Sequence, residues 1–436
     1  MEQLNILTSN AGALCSYGFI RSLEKISSKI ILFYQQEKPI ILAHSKFINK
    51  SYHVKVPNKG WEQGDFVKEN SPEEEIFIQE ILNICHLEDI DIVIPSTDKE
   101  MFILSKNKER FFKKEIIILV SDFESIEKAT DKYNLILAAK ATGFPYPESY
   151  LPNSMDDAME KAKIIGYPLI IKPTTGEGAR GVQIINNQDE LKEKVQELRE
   201  KYGWPIIQEY IAGDIEPSIN LIIDNNNNPI FHYSLKKLRY VAASRSTCIE
   251  IMDPLPETQK AIKLVQHLGL KGFIAIQTKY DIKTQQHKII EINARWGANS
   301  AILLRVAEKL DVNPILLNIK AFQETESSLP LQTLKPGFVG ISLIEDLLAI
   351  RKYFSMKSNI SQQRLDNPLP KFSELLNSYK YTYIRKDKTF DFFTRAILDD
   401  TKMAFSAYKR LIKMAVKDEG MFVPWGGIER RGNKNE

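Results

Sequence analysis

Cysteine is scarce in this chain. Its 436 residues hold three, Cys15, Cys85 and Cys248, all far apart. An odd, scattered set makes no disulfide framework and lacks the close pairing of a zinc site, so buried free thiols are expected. Long apolar runs are missing too, and nothing approaches the ~18 uninterrupted apolar residues of a membrane-spanning helix. The opening MEQLNILTSNAG has no basic leader followed by a long apolar run. No signal peptide is therefore expected, and the expected location is cytoplasmic. Charge of one sign is not in excess: 59 Lys+Arg against 56 Asp+Glu leave +3, which points away from nucleic acid as a partner. What remains is ordinary globular composition, 43% hydrophobic and 26% charged, with enough apolar material for large cores and against global disorder. At about 100–200 residues per domain, the length suggests roughly two to four domains.

Over residues 4–120, short apolar runs alternate with helical patterns. NILTS leads to a helical stretch near Phe19–Lys25, then KIILFY, the amphipathic PEEEIFIQEILNICHL, DIVIP, a second helix through Phe111, and EIIILV. This alternation predicts a parallel sheet with helices on both faces. The loops Ser9–Gly12 and Ser96–Glu100 then follow strand ends, where they either line a ligand crevice or simply turn the chain. From Asp131 the texture changes. DKYNLILAAKATG predicts a helix stopped by Gly143, and PYPESYLP an extended connector. A helix (MDDAMEKAKIIG), a strand (YPLIIKP), a glycine loop, a strand (VQIIN) and a charged helix from Asp189 to Lys201 follow. Residues 206–293 are rich in strands, with a polar hairpin tip at Asp224–Asn228. Past Leu329 the pattern weakens to a strand and helix in GFVGISLIEDLLAIRKYF and an amphipathic helix over Thr394–Val416. Residues 378–436 hold 13 Lys/Arg against 8 Asp/Glu, and a solvated helix face is expected there ahead of a polyanion surface.

Three constellations carry chemistry. In YPLIIKPTTGEGARGVQII a strand ends at Lys172 and runs into Gly176, Gly178 and Gly181. Glycines allow positive φ and let several N–H groups turn toward phosphate oxygens, while Lys172 and Arg180 add charge. The spacing also fits G-x-G-x-x-G, but a dinucleotide site needs a helix directly after the glycines, and VQIIN is β-branched and apolar. A strand–loop–strand hairpin over phosphates fits better. In GFIAIQTKYDIKTQQHKIIEINARWG two strands flank a turn near residue 284, which makes Gln277 and Glu291 cross-strand neighbours. Alternation puts Glu291, Asn293 and Arg295 on one face. Three oxygen donors then converge on one point, as hard Mg²⁺ prefers, and Arg295 can meet developing negative charge. In QEYIAGDIEPSINL, a strand ending at Glu209, Tyr210 and Ile211 offers backbone to an adenine edge, and Glu216 offers a carboxylate to ribose. Taken alone, two glutamates around a turn are as well explained by solvent.

Taken in order, these constellations resemble the ATP-grasp superfamily, in its carbamoyl-phosphate-synthase-like form, over residues 1 to about 325. The resemblance implies an α/β ATP-grasp fold, two α+β subdomains gripping ATP, preceded by a Rossmann-like pre-ATP-grasp domain. The implied boundaries are 1–123 for the front domain and 124–325 for the ATP-grasp domain, with a smaller lid over about 140–205 and a larger subdomain over about 206–325. Residues 326–436 form a C-terminal extension whose role as dimer contact, lid or partner surface stays open. The resemblance assigns Lys132 and Lys172 to the ATP phosphates, Glu209 and Ile211 to adenine, Glu216 to ribose, Glu291 and Asn293 to metal, and Arg295 to anion stabilisation. Gln277 stands where many members carry a carboxylate, Arg180 where a small hydroxyl residue is common, and Ala298 where a second glycine is common.

The expected cofactors are ATP and Mg²⁺, with Mn²⁺ as a substitute. No Ser-His-Asp or Cys-His set is discernible, and attack by a substrate carboxylate on phosphorus needs no protein nucleophile. The expectation is therefore a ligase that makes an acyl phosphate and ADP, then couples the acyl group to an amine or a thiol. Its partners are small-molecule carboxylates and amines, and a homodimer is the open oligomeric form. An amino acid or related metabolite suits the acyl donor, gripped by Lys236, Lys237, Arg239 and Arg245, although a solvated basic strand explains those residues equally well. An ATP-binding regulator without turnover is the alternative, opposed by the intact Lys172, Glu291, Asn293 and Arg295. A redox enzyme using the front domain for NAD is opposed by TSNAGALCSYG, which lacks the glycine spacing.

Overall fold

The computed structural model describes residues 4–9, 13–35, 41–57, 68–176, 181–212, 216–241, 245–297, 300–323, 329–341 and 389–391. The front of the chain runs β1 (Leu4–Ser9), α1 (Ala13–Glu24), β2 (Ser27–Tyr34), β3 (Lys50–His53), α2 (Pro72–Leu87), β4 (Ile92–Ile94), α3 (Asp98–Lys106), α4 (Lys108–Phe112) and β5 (Ile117–Ile118). The five strands pair in parallel in the order β3-β2-β1-β4-β5. Strand alternation sorts their side chains. Leu7, Ile31, Phe33 and Val93 enter one core, while Ile6, Ile30, Leu32, Ile92 and Ile94 enter the other. Both faces are apolar because both are covered, as a parallel sheet requires. The order reverses between β1 and β4, so a crevice opens past Ser9 and Ser96.

α5 (Phe123–Thr130) and α6 (Lys132–Thr142) follow. Asp131 caps α6 by accepting hydrogen bonds from Tyr133 N and Asn134 N, and Gly143 ends it at φ 72°. Next come β6 (Ser149–Tyr150), α7 (Met155–Ile165), β7 (Leu169–Lys172), β8 (Gln183–Ile185), α8 (Gln188–Tyr202) and β9 (Ile206–Glu209). Their sheet has the order β6-β9-β7-β8. It has a core of its own, in which Ala158, Ala162, Leu191, Val195 and Leu198 of the two helices meet Leu169, Ile171, Ile185 and Ile207. β9, expected to open the larger unit at 206, thus belongs to this smaller sheet. Its antiparallel bonds to β6 and β7 decide the matter.

The large sheet is built from β10 (Pro217–Ile223), β11 (Pro229–Val241), β12 (Arg245–Met252), then, after α9 (Thr258–Leu268), from β13 (Gly272–Asp281) and β14 (Gln286–Asn293). α10 (Ser300–Lys309), α11 (Pro314–Gln323), β15 (Gln332–Thr333), β16 (Val339–Ile341) and β17 (Thr389–Asp391) complete the described elements. The strand order is β14-β13-β10-β11-β12-β16-β17, with β15 alongside β11. Its Ile219, Leu221, Ile274 and Ile276 share a core with Leu7, Phe33 and the α5–α6 pair. Its Phe231, Leu235 and Phe273 share the other core with α1, α10 and α11. Front sheet and large sheet are therefore welded by two common cores. The helix expected after β16 and the one over 394–416 lie outside the described residues, as does the basic stretch beyond 391.

No described helix is long and apolar enough to cross a membrane. Cys85 and Cys248 are free and buried, and burial pushes the Cys85 thiol up to about 12. β13 starts at Gly272, whose φ of 72° an L side chain resists and whose added Cβ would stand 2.5 Å from Phe322 Cε2. Gly272→Ala should therefore cost about 1–3 kcal/mol through backbone strain and overpacking. Urea unfolding followed by circular dichroism measures this, and an unchanged midpoint would contradict the close packing described.

Candidate active site

Lys132 opens α6, where the positive end of the helix dipole disfavours a cation. Its position is explained by the glycine turn opposite. Its Nζ donates to the Gly176 carbonyl at 2.8 Å and its backbone N donates to Thr174 O at 2.7 Å. Gly176 has φ 120° and Gly181 φ 72°, and a Cβ on Gly181 would meet Pro173 Cγ at 2.8 Å. The turn thus needs glycine at both positions for conformation, and at Gly181 for space as well. Gly178 and Arg180 lie outside the described residues. Lys172, at the end of β7, is 6% exposed. Burial lowers its pKa to about 7, with Lys132 pushing the same way and Glu291 pulling it back up. Lys132 is lowered by burial too, against the raising charges of Glu291, Asp131 and Asp98.

Glu291 is supplied by β14. It lies opposite Gln277 of β13, and Asn293 lies opposite Ala275. The ladder slips between Gln277 and Thr278, because Ile289 pairs with Thr278 and Ile290 is the extra residue. Such a bulge re-aims the side chains beside it. Asn293 Nδ2 donates to Glu291 Oε1 at 3.2 Å. Amide oxygen and nitrogen have the same shape, so a turn of this group presents oxygen instead. Gln277, Glu291 and Asn293 then form an all-oxygen set with one carboxylate, suited to a hard divalent ion that draws further ligands from an anion. Among the described residues no cluster of three or more His, Cys, Asp or Glu could hold a metal. Beside the all-oxygen set lie Ser218 and Asn220 of β10, buried polar groups joined by Asn220 Nδ2 to Ser218 Oγ at 2.9 Å. Ser218 faces Gln277 across the ladder.

Arg295 follows the strand. The Trp296 ring stacks on Phe273, centroids 3.9 Å apart and planes 12° from parallel, which fixes the chain as it leaves β14. The guanidinium reaches Asp98 at the start of α3, with Nε donating to Oδ1 at 2.6 Å and Nη2 donating to Oδ2. Lys172, Lys132, Glu291, Asp98 and Arg295 thus interleave cations and anions contributed by all three sheets or their connections.

The other expected residues divide. Glu209 ends β9, and its carboxylate accepts from Lys288 Nζ at 2.7 Å and from Glu148 N at 3.1 Å. Lys288 also pairs with Asp281 at 3.0 Å, so this network ties the small sheet to the β13–β14 hairpin. Tyr210 lies under Lys279 Nζ, 5.6 Å from its ring centroid, and Ile211 is buried. Glu216 pairs with Lys237 at 3.3 Å, and Lys236 pairs with the buried Glu250 at 2.9 Å. Both lysines are therefore neutralised within the protein. Arg239 and Arg245 sit on paired strands β11 and β12, but their side chains lie outside the described residues.

Asp98, Ser218, Asn220 and Lys288 were not singled out in the sequence. For Ser218 and Asn220 a signal exists, since two polar residues at alternate positions interrupt the apolar strand PSINLII.

Residues 131–312 match the family model of the carbamoyl-phosphate synthase L chain, ATP binding domain. This stretch is thus similar to the ATP-binding domain of ATP-grasp ligases. It takes in every charged residue of the cluster except Asp98. One similar curated protein is the N-terminal section of the carbamoyl phosphate synthase large chain of Methanopyrus kandleri, 24% identical over 216 residues, 45% of this chain and 38% of that one. The chain spans well under half the length of the curated relatives it matches. Among solved structures, the biotin carboxylase domain of Hydrogenobacter thermophilus 2-oxoglutarate carboxylase, solved with MgADP, ADP and bicarbonate, has a TM-score of 0.60 at 16% identity, covering 78% of this chain and 74% of that one. N5-carboxyaminoimidazole synthetase from Staphylococcus aureus, complexed with ADP, has a TM-score of 0.58 at 16% identity, covering 81% and 86%. At such identities the likeness is one of fold.

The buried lysine has a pH signature. An unfolded Lys172 keeps its proton to near 10.5, whereas the folded one loses it near 7, so the unfolded state binds more protons between those values. The destabilisation is fully present below about pH 7 and fades as pH rises. Lys172→Met should raise the melting temperature at about pH 6, and the gain should shrink by about pH 9. Differential scanning fluorimetry checks this, and a gain that grows with pH would refute it.

Proposed function

We propose that this chain is an ATP-dependent ligase that activates a carboxylate as an acyl phosphate and couples it to an amine. The observation that carries this is the convergence of Lys132, Lys172 and Glu291 in one electrostatic cluster under a glycine turn. In this reading residues 1–123 are a Rossmann-like pre-ATP-grasp domain, supported by the parallel 3-2-1-4-5 strand order. Residues 124–325 are the ATP-grasp domain. Its lid extends through Glu209, since β9 is hydrogen-bonded into the small sheet. Residues 326–436 are a C-terminal extension.

ATP lies between the small and large sheets. Lys132 and Lys172 hold its phosphates, helped by the Gly176, Gly178 and Gly181 backbone and by Arg180. Glu209, Tyr210 and Ile211 border the adenine and Glu216 the ribose, for which it must share its bond with Lys237. Gln277, Glu291 and Asn293 would hold Mg²⁺, which neutralises phosphate oxygens when bound. A carboxylate oxygen of the substrate attacks the γ-phosphorus, the bond to the β-phosphate oxygen breaks, and ADP leaves. The amine then attacks the acyl carbon, phosphate departs, and the amine proton passes to solvent or to phosphate. Arg295 meets the negative charge on the transferring group. Closure of the small sheet excludes water, which would otherwise hydrolyse the acyl phosphate. An amino acid or similar small metabolite is the proposed carboxylate, with Lys236, Arg239 and Arg245 as its candidate holders, although Lys236 already pairs with Glu250.

Two measurements bear on this. Glu291→Ala should abolish ADP release with Mg²⁺-ATP and pooled amino acids, small carboxylates and bicarbonate, while the chain still folds; retained turnover refutes the metal assignment. Polyphosphate also draws a proton back onto Lys172, raising its pKa. At about pH 8, calorimetry in buffers of different ionisation enthalpy should register uptake of roughly one proton per ATP, lost in Lys172→Met. Binding without proton uptake would separate Lys172 from the phosphates.

A further inference from the structure

Asp98 is the one member of the charged cluster to which the proposed chemistry gives no task. It comes from the front sheet, 197 residues away in sequence from the arginine it meets. The pairing uses two edges of each group, Nε to Oδ1 and Nη2 to Oδ2, and neither side chain is more than 18% exposed. A bidentate carboxylate–guanidinium pair fixes direction as well as distance. Lys132 feels the same carboxylate, which puts Asp98 within reach of the phosphate-binding lysine as well.

The carboxylate is itself anchored from behind. Asp98 is the first residue of α3, where the helix dipole favours an anion. Thr97 caps that helix, and Glu100 closes the capping box. Glu100 is 5% exposed, and its Oε2 accepts from Ser96 N and Thr97 N, each at 3.1 Å, and from Ser9 Oγ. Ser96 Oγ donates in turn to Ser9 O at 3.0 Å. The start of α3 is thereby pinned to the end of β1, and β1 is the centre of a sheet buried on both faces. A rigid front sheet therefore grips a flexible side chain of the ATP-grasp domain.

We propose that Asp98 is a positioning residue for the ligase reaction, holding the Arg295 guanidinium beside Glu291 and Asn293, where transferring charge develops. This rests on the function proposed above. The front sheet then contributes to catalysis without touching the reactants, by removing rotamer freedom from a long side chain before the reaction begins.

The test uses the full chain and the ADP-release assay, with Asp98→Asn, Asp98→Glu, Arg295→Gln and the double variant Asp98→Asn/Arg295→Gln. Asp98→Asn should lower kcat by at least about tenfold, with KM for ATP within about twofold and the ATP-induced rise in melting temperature kept. Asp98→Glu, which keeps the charge, should recover part of kcat. In the Arg295→Gln background, Asp98→Asn should do nothing further, because Asp98 acts through the arginine. A fall that adds in full to that of Arg295→Gln, or one in which KM rises in step with kcat's loss, overturns the proposal. So does an Asp98→Asn enzyme with wild-type kcat. If Asp98→Asn fails to fold, Asp98→Glu carries the test through its own kcat, and a wild-type value for it with the longer side chain overturns the idea. A wild-type chain that releases no ADP with any pool sinks the ligase reading itself, and this inference with it. An active wild type with an indifferent Asp98→Asn sinks only the inference.

Discussion

Two lysine amines taken out of water among a few carboxylates are the constraint around which the molecule is organised. Lys172 is buried at the end of β7 and Lys132 points its amine at the Gly176 carbonyl, so each cation raises the cost of the other. Burial of an ammonium is tolerated only with charge or hydrogen-bond partners close by. Glu291, Asp131 and Asp98 supply that partnership for Lys132, and Glu291 supplies it for Lys172.

Each sheet answers to that constraint differently. The large sheet contributes the acceptor side, Glu291 with Gln277 and Asn293, on the strand edge farthest from β17. The small sheet contributes Lys172 and the glycine turn. The front sheet supplies the counter-charge for Arg295 through Asp98 and shares both large cores with the sheet that carries Glu291. The position of Asp98 is thus fixed by hydrophobic burial on both sides of β1 and β4, and its orientation by hydrogen bonds among Ser9, Ser96, Thr97 and Glu100.

Local signals in the sequence were legible where local physics sets the outcome. The α6 helix could be bounded because Asp131 is an N-cap and Gly143 takes the left-handed conformation. The β13–β14 pairing followed from alternation around a turn, and so did the facing of Gln277 and Glu291. The parallel front sheet followed from strands alternating with helices. Other features escaped for reasons that are tertiary. β11 runs on through Lys237 and Arg239 alongside β12, where register shifts disturb the alternation that marks a strand. The sheet to which β9 belongs is decided by hydrogen bonds to β6 and β7, which no pattern within PIIQEYI encodes. The extra residue at Ile290 and the meeting of Asp98 with Arg295 are likewise invisible to spacing. The loop Ser96–Glu100 either lines a crevice or turns the chain as far as its sequence goes, and which of its residues reaches across depends on where β14 ends in space.

The four-stranded sheet keeps its apolar residues to itself. Its nine-residue core touches α7 and α8 and none of the residues that join the front and large sheets. Polar ties such as Lys288 to Glu209 connect it to its neighbour where apolar packing does not. The described residues accordingly form two packing units of unequal size, so that the smaller could lose its structure while the larger keeps its own. Thermal unfolding is then expected as a sum of transitions, and a ligand that bridged the units would make them melt together.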